Sequence, residues 1–223
     1  MKQKNTKDKT VNIYLYDFDG TIVKGDTGVK FFWWWSKDHP LSIFWVPCFA
    51  IVLFLYKLKL ISHKQLKEYF FKFLPKDRKI ADKSIKNFWD LSNKHQLNKK
   101  VIRILKKDYT DKNGIVICIS GSPDFFIKPA VKNLPVDVLI CTNMKKNNYR
   151  KISGANCNGE EKVKRLSKWL KQNKINKYNF IKTVSDSQKD LPIYKLAKKW
   201  YAVDRYGNVK LGLPKKAGTF YWR

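Results

Sequence analysis

Short stretches of this 223-residue chain place carboxylates, a hydroxyl and an ammonium where they could do chemistry. In DFDGT, Asp17 and Asp19 stand two residues apart, with Thr21 closing the stretch. Two carboxylates in different surroundings can divide labour, one attacking while the other gives and takes a proton. An acidic loop could instead hold calcium as an EF-hand. That loop needs Gly at its sixth position and Glu at its twelfth, and here Ile22 and Gly28 stand there. Ser120 and Gly121 close the apolar run GIVICIS, offering a hydroxyl and backbone N–H groups, a natural cradle for phosphate. Lys162 begins a helical pattern behind Gly159, and Asp186 and Asp190 follow an apolar run in SDSQKDLP. Carboxylates gathered at one site repel one another unless a divalent cation binds them.

The elements that must position these residues follow from the apolar pattern. Val11 to Tyr16 reads as a buried strand ending at Asp17, and Gly114 to Ser120 as a second strand. After these the pattern alternates: helix 123–133, strand 136–142, helix 160–172, strand 180–184, helix 191–198 and strand 200–203. Strands alternating with helices predict an α/β fold, a Rossmann-like parallel sheet with helices on both faces. Each candidate residue then falls at the C-terminal end of a strand or the start of a helix, the usual active-site edge of such a sheet. The tail 205–223, rich in Gly and Lys, reads as irregular.

Between the first two strands the character changes. Residues 24–98 are aromatic and helical in period, with no Gly between Gly28 and Gly114, which predicts an inserted all-helical cap. The catalytic core is expected to comprise residues 1–23 and 99–223. Leu66, Tyr69, Phe70, Phe73 and Leu74 mark one cap helix over 64–74, closed by Pro75. A second, over 83–97, is expected to turn Ile85, Phe88, Trp89 and Leu91 inward. Leu41 to Tyr56 (LSIFWVPCFAIVLFLY) carries no charge and follows the cluster Phe31, Phe32, Trp33, Trp34, Trp35. Sixteen residues with Pro47 inside fall short of the ~20 needed to cross a bilayer. Two readings stay open: a wholly buried cap helix, or a segment lying in the membrane interface between flanking lysines.

The formal charge of +29, from 47 basic and 18 acidic residues, would fit a nucleic-acid or anionic-membrane partner. The lysines are spread along the whole chain, which is the pattern of a solvated surface. No helix-turn-helix, zinc or base-stacking motif accompanies them, so no specific nucleic acid is expected. Cys48, Cys118, Cys141 and Cys157 lack metal or redox spacing. Together with a polar, basic N-terminus that has no signal-peptide core, they suggest a cytoplasmic protein, peripheral at the inner membrane face if the cap touches lipid. His39, His63 and His95 show no ligand spacing.

The order DFDGT, apolar run ending in Ser, Lys at a helix start, then SDSQKDLP resembles the four motifs of the haloacid dehalogenase-like superfamily. ISGSPDFF, NCNGEEKVKRL and SDSQKDLPIY, with a helical insertion after the first motif, look like its phosphoserine phosphatase-like branch, subfamily IB. The match runs from about Val11 to Val203. It implies a phosphatase in which Asp17 attacks phosphorus and Asp19 serves as acid and then base. It also implies Mg²⁺ held by Asp17, the Asp19 carbonyl and Asp186, with Asp190 as a ligand or a partner of one. Ser120, Gly121 and Lys162 would hold the phosphoryl oxygens, and Thr21 would orient the loop. One departure is Ser185, where many relatives have Gly. Asp26 and Arg78 are the cap residues expected to meet a phosphoserine-like substrate. The apolar cap suits a lipid phosphate better, and bacterial phosphatidylglycerophosphate phosphatases of this branch resemble the chain in having such a segment.

Overall fold

The computed structural model describes residues 10–213. In chain order these form β1 (Val11–Tyr16), α1 (Thr27–Asp38), α2 (Trp45–Lys57), α3 (His63–Phe70), α4 (Arg78–Gln96), α5 (Lys99–Tyr109), β2 (Gly114–Pro123) and α6 (Asp124–Val131). There follow β3 (Val138–Thr142), β4 (Met144–Lys145), β5 (Asn148–Ile152), α7 (Glu160–Gln172), β6 (Tyr178–Ser185), α8 (Leu191–Tyr194), β7 (Lys199–Val203) and β8 (Val209–Leu211). Single 3₁₀ turns at Pro40–Phe44, Phe71–Phe73 and Gln188–Asp190 join some of them.

The main sheet has the order β3-β2-β1-β6-β7-β8, parallel except for β8 at its edge. Alternation along β1 decides what lies on each face. Val11, Ile13 and Leu15 join an aliphatic core with Ile115, Ile117 and Ile119 of β2, covered by Leu166 and Leu170 of α7 and Ile193 beside α7. Tyr14, Tyr16 and Phe18 point the other way, into a core shared with Val101 and Leu105 of α5 and Phe125 to Ile127 of α6. The period-2 pattern therefore accounts for both helical layers. β1 lies between β2 and β6: the chain runs from β1 to β2 and β3 on one side and returns to β6 on the other, which opens a crevice beyond the C-terminal end of β1. Tyr16 pairs with both Cys118 and Val184, which brings the ends of the three strands level.

The helical segment after β1 leaves and re-enters the sheet through one doorway. Lys24 N–H donates to the Gln96 carbonyl at 2.9 Å, and Asn98 N–H to the Ile22 carbonyl at 2.9 Å. Its inner side is aromatic: Phe31, Phe88 and Trp89 pack on one another and on Phe126 of α6, edge-on, tilted or stacked, at centroid distances of 5.0 to 6.2 Å. Such pairs add to the area they bury. The hairpin β4–β5, which the apolar pattern did not foretell, fastens α3 to the sheet side. Ile152 N–H donates to Glu68 at 2.8 Å, Lys151 pairs with Glu68 at 2.9 Å, and the Tyr149 hydroxyl donates to the Pro75 carbonyl.

Several boundaries differ from expectation. The cap helix expected over 83–97 starts at Arg78, because Asp77 caps it by accepting from Lys79 N–H at 2.8 Å. Leu91, expected inward, is 69% exposed; at 100° per residue it lies roughly 200° around the helix from buried Trp89. Tyr69 likewise faces outward. The helix expected over 191–198 ends at Tyr194, where the chain turns into β7. Within the tail read as irregular, 209–211 pair with β7 as an edge strand; residues 214–223 lie outside the described ones.

Candidate active site

Asp17 is the first residue beyond β1, its N–H held by the Val184 carbonyl at 3.0 Å. Its side chain is buried against Lys162, which rises from the first turn of α7: Nζ lies 2.8 Å from Asp17 Oδ1 and 2.7 Å from Asp190 Oδ1. Asp190 in turn accepts from the Ser185 hydroxyl at 2.6 Å through Oδ2. Its Oδ1 meets Lys162 as an ion pair and has no directional hydrogen bond besides.

Burial pushes the Asp17 carboxyl well above the usual carboxylate range; Lys162 opposes this, while Asp190 and Asp186 reinforce it. Burial lowers Lys162, but the Asp17 and Asp190 carboxylates outweigh it and hold the ammonium above its ordinary value. One ammonium thus stands among three carboxylates. The excess negative charge is what a divalent cation would offset.

Gly20 shows how close the two acidic loops come. With φ at +70°, a Cβ added there would lie 2.1 Å from Asp186 Oδ2, so only glycine fits. Thr21 beside it donates to Asp186 Oδ1 at 3.5 Å. Among the described residues no three His, Cys, Asp or Glu side chains converge tightly enough to hold an ion unaided. Mg²⁺ does not require that, since it binds through one or two carboxylates and completes its shell with water and phosphate oxygens. The donor set of Asp17, Asp186 and the Asp19 backbone fits that habit.

Asp19 is partly exposed and held from two sides. Oδ1 accepts from Thr27 N–H at 3.0 Å and the Thr27 hydroxyl at 2.5 Å, and Oδ2 accepts from the Ser122 hydroxyl. Ser120 is buried at the end of β2 and accepts from Ser122 N–H at 3.0 Å. The β2–β3 register slips between Ile119 and Pro123, so this stretch of β2 departs from regular pairing at the catalytic edge.

All eight candidate residues (Asp17, Asp19, Thr21, Ser120, Gly121, Lys162, Asp186 and Asp190) therefore lie at the shared C-terminal edge of β1, β2 and β6 or at the start of α7. Asp26 lies near Asp19 but caps α1, accepting from Val29 N–H at 3.0 Å; burial first, then Asp19, pushes it up to about 7. Arg78 stays away from the site, paired with Asp82 at 3.3 Å on the cap surface.

Sequence reasoning missed Lys67. From α3 its ammonium donates to the Gly121 carbonyl at 2.5 Å and to Asn156 at 2.8 Å, spanning cap and sheet. Burial pulls it down to about 8, against Asp19 and Asp26. One lysine among many carries no local signal. Thr27 and Ser122 were also missed, although ISGS and the first turn after Asp26 could have suggested hydroxyls. His63, given no role, meets Asn156 at 2.9 Å beside Lys67.

The haloacid dehalogenase-like hydrolase family model matches residues 14–195, most of the chain and every candidate residue. The chain belongs to that family. No curated protein matches its sequence. Among solved structures, a Bordetella pertussis Tohama I protein with unknown function is similar at a TM-score of 0.69 and 16% identity, covering 87% of this chain and 90% of that one. A phosphoserine phosphohydrolase-like protein from Francisella tularensis subsp. tularensis SCHU S4 follows at 0.56 and 17% identity, covering 86% and 87%. A phosphoserine phosphatase, solved as a phospho-aspartyl intermediate analogue, aligns at 0.57 and 18% identity over 87% of each chain. At such identities the likeness speaks for a common fold. As a member of this hydrolase family, the chain presents its acids where that fold gathers three strand ends.

Proposed function

We propose that the chain is a Mg²⁺-dependent phosphomonoesterase working through an aspartyl phosphate on Asp17. The observation that carries this reading is the buried Asp17–Lys162 pair at 2.8 Å, with Asp19 two residues on and held by Thr27 and Ser122. A carboxylate oxygen of Asp17 attacks phosphorus, the bond from phosphorus to the leaving oxygen breaks, and Asp19 passes its proton to that oxygen. Asp19 then takes a proton from the water that attacks the aspartyl phosphate, which releases inorganic phosphate and restores Asp17.

Lys162, the Ser120 hydroxyl and the Gly121 N–H hold the phosphoryl oxygens, and Thr21 keeps the loop in place through Asp186. Asp17, Asp186 and the Asp19 carbonyl would hold Mg²⁺, which when bound neutralises charge on the acids and the phosphoryl group. Asp190, with Lys162 on one oxygen and Ser185 on the other, keeps the ammonium aimed at Asp17.

The substrate class we favour is a lipid phosphomonoester such as phosphatidylglycerophosphate, because the cap carries an apolar helix on its outside. A phosphoserine-like metabolite is the second reading. It is favoured by Asp26 and Lys67, which bring opposite charges beside Asp19 and could meet an amino and a carboxylate group.

Hydrolysis of both substrates by the wild type and by Asp17→Asn, with Mg²⁺ and with chelator, tests the proposal. Turnover that needs Mg²⁺ and vanishes in the variant supports it, and the faster substrate identifies the class. Turnover that survives in Asp17→Asn removes the aspartyl phosphate.

A further inference from the structure

Among the described residues, the segment 40–60 exposes a large apolar surface. None of its residues is buried, and Leu41, Phe44, Ile51, Phe54 and Leu60 are each 59–78% exposed. Isolated exposed apolar residues are ordinary, but a continuous patch of this kind marks a surface that something else covers. Pro40 to Lys57 has the length and composition of a short membrane span.

The cap forbids a span. The start of the segment is tied to α1 by stacking of His39 on Trp35 at 3.6 Å and by a Ser36–Ser42 hydroxyl contact at 2.8 Å. Its middle is tied to α3 by Phe49 against Phe70 at 5.2 Å, and its end by Tyr56 against His63 at 5.7 Å. Both α1 and α3 pack on the sheet side, through Phe31–Phe126 and Glu68–Ile152. Entry and exit therefore share one side. Returning across ~30 Å of hydrocarbon would fall to the five residues 58–62 between α2 and α3, which reach at most about 18 Å.

We infer that α2 and the 3₁₀ turn before it lie in the interface of an anionic phospholipid bilayer, entering and leaving from the same side. Charge complementarity selects this occupant. Exposed Lys37, Lys57 and Lys59, against one exposed acid, Asp38, flank an uncharged stretch on a chain of net charge +29. A groove of about 450 Å³, lined by Trp35, Leu41, Phe44, Trp45, Lys72 and Phe73 among others, opens along the same segment. The surface is coupled to the site through α3: Phe70 touches the membrane helix, and Lys67, three residues earlier, holds the Gly121 carbonyl. Docking does not depend on the phosphatase reading.

Cys48 supplies the probe, being exposed on α2 while Cys118, Cys141 and Cys157 are buried. It also lies midway along 40–57, so it would sit at the bilayer centre in a span and near the headgroups in an interfacial helix. The full chain, labelled there with an environment-sensitive fluorophore, would be mixed with vesicles of phosphatidylcholine alone or with added phosphatidylglycerol, some carrying lipids brominated at shallow or deep acyl positions. The expected result is flotation and a blue shift with the anionic vesicles, weakened by salt, and stronger quenching by shallow bromines.

Phe44→Asp and Phe54→Asp should each lower partitioning roughly tenfold or more, while circular dichroism and turnover of a water-soluble phosphoester stay unchanged. Asp17→Asn should bind as the wild type does, which separates this inference from the catalytic one. Four outcomes would overturn it: no binding to anionic vesicles, binding unchanged in both Phe variants, stronger quenching by deep bromines, or a lipid-free dimer that already shields Cys48.

Discussion

Two regions of this molecule invert the usual partition between water and interior. At the ends of β1 and β6 and the start of α7, the ionisable side chains of Asp17, Asp186, Asp190 and Lys162 are buried. Along 41–56, the side chains carry no charge and none is buried, with Leu41, Phe44, Ile51 and Phe54 exposed. The first inversion is compensated only in part inside the chain: Lys162 contacts two of the carboxylates within 2.8 Å, and Asp186 stands beside them as a third. The second finds no compensation among the described residues, and the cover inferred for it is a phospholipid surface. Buried charges that are partly paired suit a site that takes up a charged ligand, whereas exposed apolar side chains suit a surface that meets an apolar partner.

The largest effect belongs to the buried charges. Asp17→Asn should lower turnover by roughly a thousandfold or more, as expected when a group that acts only in the transition state is lost, measured with saturating phosphoester. If activity survives, the carboxylate edge is structural and the comparison fails on that side. Lys162→Met should destabilise by about 3–5 kcal/mol, because it leaves Asp17 and Asp190 buried without their cation. A denaturant titration would read this as a shifted midpoint at unchanged slope.

Within the cap, Phe88→Ala should cost about 3–5 kcal/mol, since Phe88 is 1% exposed in the aromatic core. Phe54→Ala, one cap helix away and 59% exposed, should change stability by no more than about 0.5 kcal/mol. Thermal melts of the two variants side by side sharpen the contrast: equal costs would mean that 40–60 is packed after all.

A smaller effect tests the joint between the two regions. Burial, then Lys67 and Lys189, depress His63 from 6.5 to about 4, so it is neutral in the folded protein at pH 6 and protonated in much of the unfolded chain. Its contribution is therefore complete above pH 6.5 and is lost as pH falls toward 4. Melting temperature followed across that window should fall less in His63→Asn than in the wild type.

The pattern of residues alone was enough for β1, whose limits match at both ends, and for α7, because a buried strand and an amphipathic helix write their periods locally. It also placed the eight candidate residues beside strand ends or a helix start, and an open parallel sheet brings such positions to one edge wherever the strands occur. It could not yield Lys67 or the hairpin β4–β5 that clamps α3, because those contacts join residues 54 and 84 positions apart; the Asp19 partners Thr27 and Ser122 left a local trace in the hydroxyls beside Asp26 and in ISGS. Nor could it choose between a buried and an exposed 40–57. Apolar composition is the same in both cases, and only the packing of α1, α3 and the aromatic core decided which helix was left outside.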